Sequence, residues 1–348
     1  MNEGISLEEL QLAARNHGMP LEALRYAITP VGLHYLLIHY DVPVVEPESW
    51  RLSVRGEREL VLDLDELRAR PAVELAVTME CAGNGRAKLE PRPVSQPWLL
   101  EAVGTARWRG TPLRPLLEEA GMGDAVEVLF TGLDRGVEGG EEQAFQRALP
   151  LEDALRDEVL LAYEMNGAPL PPQHGFPLRL VVPGWYGMTN VKWLERIELL
   201  DEPFAGFQNV MGYRLRQTED EEGDPLSRMQ PRSLLIPPGI PEFMTRDRTA
   251  SAGQVLLQGR AWSGIAPVDA VEVSADGGVT WAPAELEPEG EPWAWRGWSF
   301  RWTAEPGEHV LCSRARDEAG NEQPAEPPWN LGGYANNAVQ TVRVTVTG

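Results

Sequence analysis

The pattern of the chain changes once, near residue 231, and that change restricts the fold more than any other feature. Beyond it no helical periodicity survives. VLLQGRAW, DAVEVSAD, TWAPAEL, WSFRWTA, HVLCSRARD and QTVRVTVT read as short strands separated by turn signals such as Asp276-Gly277-Gly278 and Glu305-Pro306-Gly307. Six or seven such strands indicate an immunoglobulin-like sandwich. Ahead of the change, helix and strand patterns mix. Residues 6–28, 63–70, 112–121 and 151–157 read as helices; 50–55 with 60–62 as a hairpin; 73–80, 125–132, 178–183 and 193–199 as strands. The expected class is therefore α+β: a mixed α/β domain over residues 1–225, then an all-β immunoglobulin-like sandwich over 226–348. The acidic run 218–224, TEDEEGD, reads as a solvated loop between them.

A net charge of −22 makes nucleic acid and anionic membrane surfaces poor partners. An anionic substrate would need a local positive pocket. Two cysteines, Cys81 and Cys312, make neither a disulfide framework nor a zinc cage, and no CxxCH stretch attaches a haem. No apolar run reaches ~18 residues. The amphipathic acidic N-terminus lacks the apolar segment of a secretory leader, so a cytoplasmic location is expected, or a periplasmic one if a leader was trimmed.

Two segments carry candidate chemistry. In Cys81-Ala82-Gly83-Asn84-Gly85-Arg86 a cysteine opens a turn whose residues tolerate positive φ, so backbone N–H groups can point outward. With Arg86 beside it, such a nest is expected to depress the thiol and favour thiolate, the form needed by a soft metal ligand or a nucleophile. The alternatives are an ordinary buried cysteine, or a cysteine protease with His174 and Asn190 as partners, which nothing local supports. In LAYEMNGAPLPPQHGFPLRLVVPGWYGMTNVKWLERI, His174, Arg179 and Lys192 stand among glycine- and proline-rich turns. They suit a phosphate or pterin anion, or they merely pair with surface carboxylates.

TMECAGNGR resembles the molybdenum-binding strand and turn of the sulfite oxidase family, and the segment from Leu161 to Ile197 resembles that family's second signature. GTARWRGTPLRPLL resembles a third. GRAWSG, VSADGGVTW, WAWRGW and PPWNLGG resemble its C-terminal dimerisation domain. The similarity runs from about Ile28 to the C-terminus. It implies molybdenum held by one pyranopterin dithiolene and by a cysteine, with no haem domain in this stretch. Carried over by position, Cys81 is the metal ligand, and His39, His174, Arg179 and Lys192 hold the pterin or its phosphate. Arg86 is the basic residue beside the metal, Trp98 the pocket tryptophan and Tyr213 the active-site tyrosine.

The implied reaction is oxidation of sulfite to sulfate, with electrons passed to an external acceptor such as a cytochrome and the chain working as a homodimer. Two positions depart from the family. Leu37 and Gly332 stand where its sulfite enzymes carry arginines. Lost charge-assisted hydrogen bonds at ~1.5–3 kcal/mol each would weaken sulfite binding by roughly two to four powers of ten. An enzyme acting on another small oxyanion, S-oxide or N-oxide is therefore the second reading. A metal-free binding protein with an immunoglobulin-like module is the third. Trp293, Trp295 and Trp298 either pack on a twin sandwich or seal the interdomain core.

Overall fold

The structure, a computed structural model, describes residues 4–348. Two sheets build the first half. One runs in the order Glu59–Leu62, Leu52–Arg55, Leu194–Leu200, Glu127–Glu138, Glu141–Pro150. The other joins Val73–Glu80, Val103–Pro112, Leu160–Met165 and Ala168–Pro169, with Arg179–Val181 also paired to Leu160–Met165. The segment read as two strands around a glycine-rich loop thus carries the chain from one sheet to the other: Arg179–Val181 belongs to the second, Leu194–Leu200 to the first.

The helix expected over 6–28 is broken. It runs only from Leu7 to Arg15, started by a capping box between Ser6 and Glu9, and resumes as a 3-10 turn over Leu21–Arg25. Tertiary hydrogen bonds end it. The Asn16 side chain accepts from the Ile38 N–H at 2.6 Å and donates to Gln96 Oε1 at 2.9 Å, and the Met19 N–H donates to Glu101. Pro20 then offers no donor to continue the ladder. The strand expected over 125–132 extends to Glu138 and pairs with Glu141–Pro150 across Gly139 and Gly140, both at positive φ. The mixed composition of Glu141–Pro150, with little apolar alternation, conceals that strand in the sequence.

The second half is a sandwich of a four-stranded and a six-stranded sheet. Gln340–Thr347 alternates buried and exposed along its whole length, so Val342, Val344 and Val346 face the core with Leu257, Val271, Trp298 and Leu311. The tryptophans serve the interior. Trp295 lies in the core of the first half and donates its indole N–H to Ala27 O at 2.8 Å, Trp298 fills the sandwich, and Trp293 packs under Arg156. Trp295 and Trp298 thus seal the chain on itself, while Trp293 stays half-buried.

The halves are also pinned by a buried ion pair. Glu80, the residue before Cys81, lies 2.7 Å from Arg232 of the sandwich, with side-chain exposures of 3% and 1%. Trp262 Nε1 and Asn84 Nδ2 donate to the same carboxylate at 2.9 and 3.0 Å. Burial of a carboxylate is tolerable only when it is so satisfied. No helix among the described residues is long and apolar enough to cross a membrane.

Candidate active site

Cys81 leaves the end of Val73–Glu80, its N–H donating to Ala102 O at 2.9 Å while its carbonyl accepts from the Asn84 N–H. The turn closes through Gly85 at φ 91°, where a Cβ would lie 2.9 Å from the Asn336 amide. Arg86 folds back over the turn. Its Nε donates to Gly332 O at 2.9 Å, Nη1 donates to Gln96 O at 3.2 Å, and the guanidinium stands 5.1 Å from the Tyr334 ring centre. Gly332, Tyr334 and Asn336 all come from the C-terminal half, whose loop is tied down by Ala335 N–H to Ala82 O at 2.8 Å and Asn336 Nδ2 to Gly85 O at 2.8 Å.

The expectation of a depressed thiol is corrected here. Burial pushes the free Cys81 thiol up, and the Arg86 cation and Gly83 N–H only partly oppose it. A buried thiol of this kind is inert as a nucleophile, whereas a soft metal can displace its proton. The protease reading also loses its third member, because the Asn190 side chain is spent on Val182 N–H at 2.8 Å and Tyr186 O at 3.3 Å.

Two clefts meet at Cys81. The inner, with about 710 Å³ of space between atoms, is lined by His39, Cys81, His174, Arg179, Lys192 and Tyr213 together with His34, Tyr35 and Asp134. The outer, about 1010 Å³, brings Cys81 together with Arg86, Trp98, Tyr334 and Arg15. Leu37, His39, Cys81 and Tyr213 belong to both walls. The structure therefore gathers all eight residues singled out in the sequence around one junction, with Cys81 at the boundary.

The inner cleft is cationic and unsaturated. Arg179 donates to the carbonyls of His174 and Asn190 at 3.1 and 3.2 Å and lies 4.6 Å from the Trp108 ring centre. Lys192 Nζ donates to the carbonyls of Leu37 and Gln173 at 2.8 and 3.0 Å. Among the described residues neither forms an ion pair with a carboxylate, so simple surface pairing is not their role. Burial, reinforced by His34, Arg179 and Lys192, lowers the His174 imidazole to about 2. Burial lowers Arg179 to about 10. On its wall His34 Nε2, Arg179 Nε and Asp134 Oδ1 are buried without a hydrogen-bond partner. A cleft holding Arg179, Lys192 and these unpartnered polar atoms fits an anionic, many-donor guest such as a pterin phosphate.

Lys192 supplies a test of that crowding. Burial lowers its ammonium to about 7, helped by Arg179 and opposed by Asp134. Between about pH 7 and the ordinary lysine value of ~10.4, the unfolded chain holds a proton that the folded, cofactor-free chain does not. Stability of the cofactor-free protein therefore rises with pH across that window through this residue. In thermal melts, Lys192→Met should gain most over the parent near pH 7 and converge with it towards pH 10. A difference independent of pH would show that the ammonium is not desolvated.

Asp134 was not found by sequence reasoning. It sits in a register shift of the strand Glu127–Glu138, between Thr131 and Arg135, which turns its carboxylate inward to 3% exposure. Burial raises it to about 6 against the pull of Lys192 and His39. Gly132 and Gly136, two glycines inside one strand, were the available signal. Arg15, Glu138 and Tyr334 were missed as well, because each reaches the site from a segment remote in sequence. Tyr213 holds φ 51° and stacks its ring 5.5 Å from that of Tyr334. Burial drives its hydroxyl well above the usual phenol range, so it stays protonated.

Residues 39–208 match the family described as oxidoreductase molybdopterin binding domain, and 226–347 match the Mo-co oxidoreductase dimerisation domain. The chain is 37% identical over 347 residues to mitochondrial sulfite oxidase of Rattus norvegicus, covering 92% of this chain and 62% of that protein. It is 38% identical over 340 residues to sulfite oxidase of Gallus gallus, covering 89% and 72%. It is 32% identical over 351 residues to an NADH nitrate reductase of Oryza sativa subsp. japonica, covering 92% and 38%. The crystal structure of the sulfane dehydrogenase SoxCD from Paracoccus pantotrophus superposes with a TM-score of 0.82 at 25% identity, over 100% of this chain and 94% of that one. The chain thus spans 62% of the length of its mammalian relatives.

Proposed function

Because this chain belongs to the sulfite oxidase family of molybdenum-cofactor oxidoreductases, we propose that it oxidises sulfite to sulfate by oxygen-atom transfer at a molybdenum centre bound through Cys81. The observation that carries this reading is the position of Cys81 between a cationic inner cleft and an outer cleft holding Arg86 and Tyr213. His174, Arg179 and Lys192 would bind the single pyranopterin and its phosphate through their polar atoms, and His39, whose ring nitrogens face Glu138 and Tyr213, through its ring alone. The cofactor, when bound, supplies two-electron oxygen-transfer chemistry.

The protein's own residues do the rest. Arg86 places a fixed positive charge against an oxyanion. Trp98 lines the same cleft, and its indole N–H acts on the Cys81 sulfur, favouring thiolate against burial. The Tyr213 hydroxyl, 3.5 Å from His39 Nδ1, presents its oxygen to the incoming group. Released electrons pass to an external one-electron acceptor such as a cytochrome. We take the chain to work in the cytoplasm as a homodimer, in two units divided at 225/226.

One observation favours a second reading, a related enzyme acting on an S-oxide or N-oxide. Leu37 presents an alkyl side chain to both clefts, and Gly332 contributes only a carbonyl, already taken by Arg86. Steady-state assays of molybdenum-loaded protein with sulfite and an artificial acceptor, and with dimethyl sulfoxide and a reduced viologen, decide between them. Faster kcat/KM for sulfite is expected. Turnover of the sulfoxide alone would replace the first reading with the second, and protein that takes up neither molybdenum nor pterin would reject both in favour of a binding module.

A further inference from the structure

Glu138 closes the strand Glu127–Glu138 at the rim of the outer cleft. Its Oε2 accepts two hydrogen bonds, from Tyr40 O–H at 2.9 Å and from His39 Nε2 at 3.1 Å. Tyr40 is itself held by Gln208, whose Nε2 donates to the phenol oxygen at 2.7 Å. That fixes Tyr40 as the donor towards Glu138. Burial alone would push the Glu138 carboxyl up, but the His39 and Tyr40 hydrogen bonds outweigh it and hold the carboxyl low. An ionised carboxylate only accepts, so His39 carries a proton on Nε2, and in the neutral imidazole Nδ1 is bare. Nδ1 stands 3.5 Å from the Tyr213 oxygen and receives that hydroxyl. Tyr40 and Phe145, with ring centres 4.4 and 5.2 Å from that of His39, hold the imidazole in this orientation. Tyr213 is half-buried in the cleft, and the His39 and Glu138 side chains are 25% and 35% exposed. The three groups therefore run in one line from the wall shared with Cys81 to solvent.

We propose that Glu138 is a positioning residue that fixes the tautomer of His39 and thereby gives Tyr213 an outlet for protons from the outer cleft. The direction of flow rests on the sulfite reading; the tautomer does not. Making sulfate from sulfite and water releases two protons with two electrons, and the protons must leave the cleft. As the Tyr213 oxygen takes a proton from cleft water, its own proton passes to His39 Nδ1. The imidazolium so formed is balanced by the Glu138 carboxylate, and one proton then leaves to solvent from the exposed edge of that pair. No electron moves along this line. For an S-oxide reduced in the same site, the line would run inward with the same geometry.

Two measurements test the proposal. In histidine-15N-labelled protein only five histidines report, and the His39 signals are those lost in His39→Gln. The parent should show His39 protonated on Nε2 with Nδ1 bare, and Glu138→Gln should change that pattern. A parent with Nδ1 protonated, or a pattern indifferent to Glu138→Gln, overturns the proposal whatever the substrate. In molybdenum-loaded protein, with whichever substrate the parent turns over, Glu138→Gln should lower kcat by roughly ten- to a hundred-fold with KM unchanged. Glu138→Asp should recover part of that loss, and added imidazole, a diffusible base, should restore turnover in Glu138→Gln. An unchanged kcat, or a loss that imidazole does not repair, overturns the proton outlet. Absence of sulfite turnover in the parent bears on the proposed function and leaves both measurements intact.

Discussion

Cys81→Ser is expected to abolish turnover while the pterin stays at least partly bound. The two effects separate because different residues carry them. The contacts available to a pterin come from His174, Arg179, Lys192 and the unpartnered Asp134, none of which the substitution touches. The bond to the metal comes from one atom at the junction of the clefts. A serine hydroxyl there is smaller, harder and buried at a position only 8% exposed, where burial already raises even the more acidic thiol. It would remain protonated and ligate poorly. Molybdenum content, pterin fluorescence and kcat on one preparation check this. Full turnover in Cys81→Ser would remove the sulfur from the metal and with it the reading of the site.

Leu37→Arg should lower KM for sulfite by roughly ten- to a hundred-fold, the equivalent of one regained charge-assisted hydrogen bond at ~1.5–3 kcal/mol. The backbone at this position is already fixed, since the Leu37 carbonyl accepts from Lys192 Nζ at 2.8 Å, so the new side chain changes the cleft wall and not its frame. It enters beside Arg86, and the like charge is tolerated once an oxyanion lies between them. The other departure from the family is not equivalent. A Cβ at Gly332 would meet the Tyr334 ring at 2.2 Å, so Gly332→Arg must displace the ring that covers Arg86 and Tyr213. Steady-state titration with sulfite should therefore show a gain for Leu37→Arg and none for Gly332→Arg. An unchanged KM in Leu37→Arg would show that this side chain does not meet the substrate.

What could be read in advance follows from distance along the chain. Cys81 with Arg86, and His174 with Arg179 and Lys192, each lie within one short segment, so residue type and turn chemistry locate them. The sandwich was legible because Gln340–Thr347 and its neighbours keep a period of two. Asp134, Glu138 and Tyr334 were hidden because a strand irregularity, a hairpin end and a loop of the other half deliver them. The continuous N-terminal helix failed for a related reason: Asn16 and Met19 find hydrogen bonds in tertiary structure that local periodicity cannot anticipate. The thiol was misjudged in sign because a sequence displays Arg86 but not the degree of burial, which dominates.

The ion pair between Glu80 and Arg232 bears on how such a gene can evolve. The residue preceding the metal ligand is neutralised from across the chain, and stripping one partner from a buried pair costs ~3–5 kcal/mol. The front half expressed by itself would strand a carboxylate beneath its reactive turn and lose the strap carrying Tyr334 and Asn336. The sandwich is therefore no detachable accessory. A recombinant that exchanges it for a foreign module inherits a working centre only if the newcomer brings a cation to the same spot, and lineages that dispense with the sandwich must first refashion position 80.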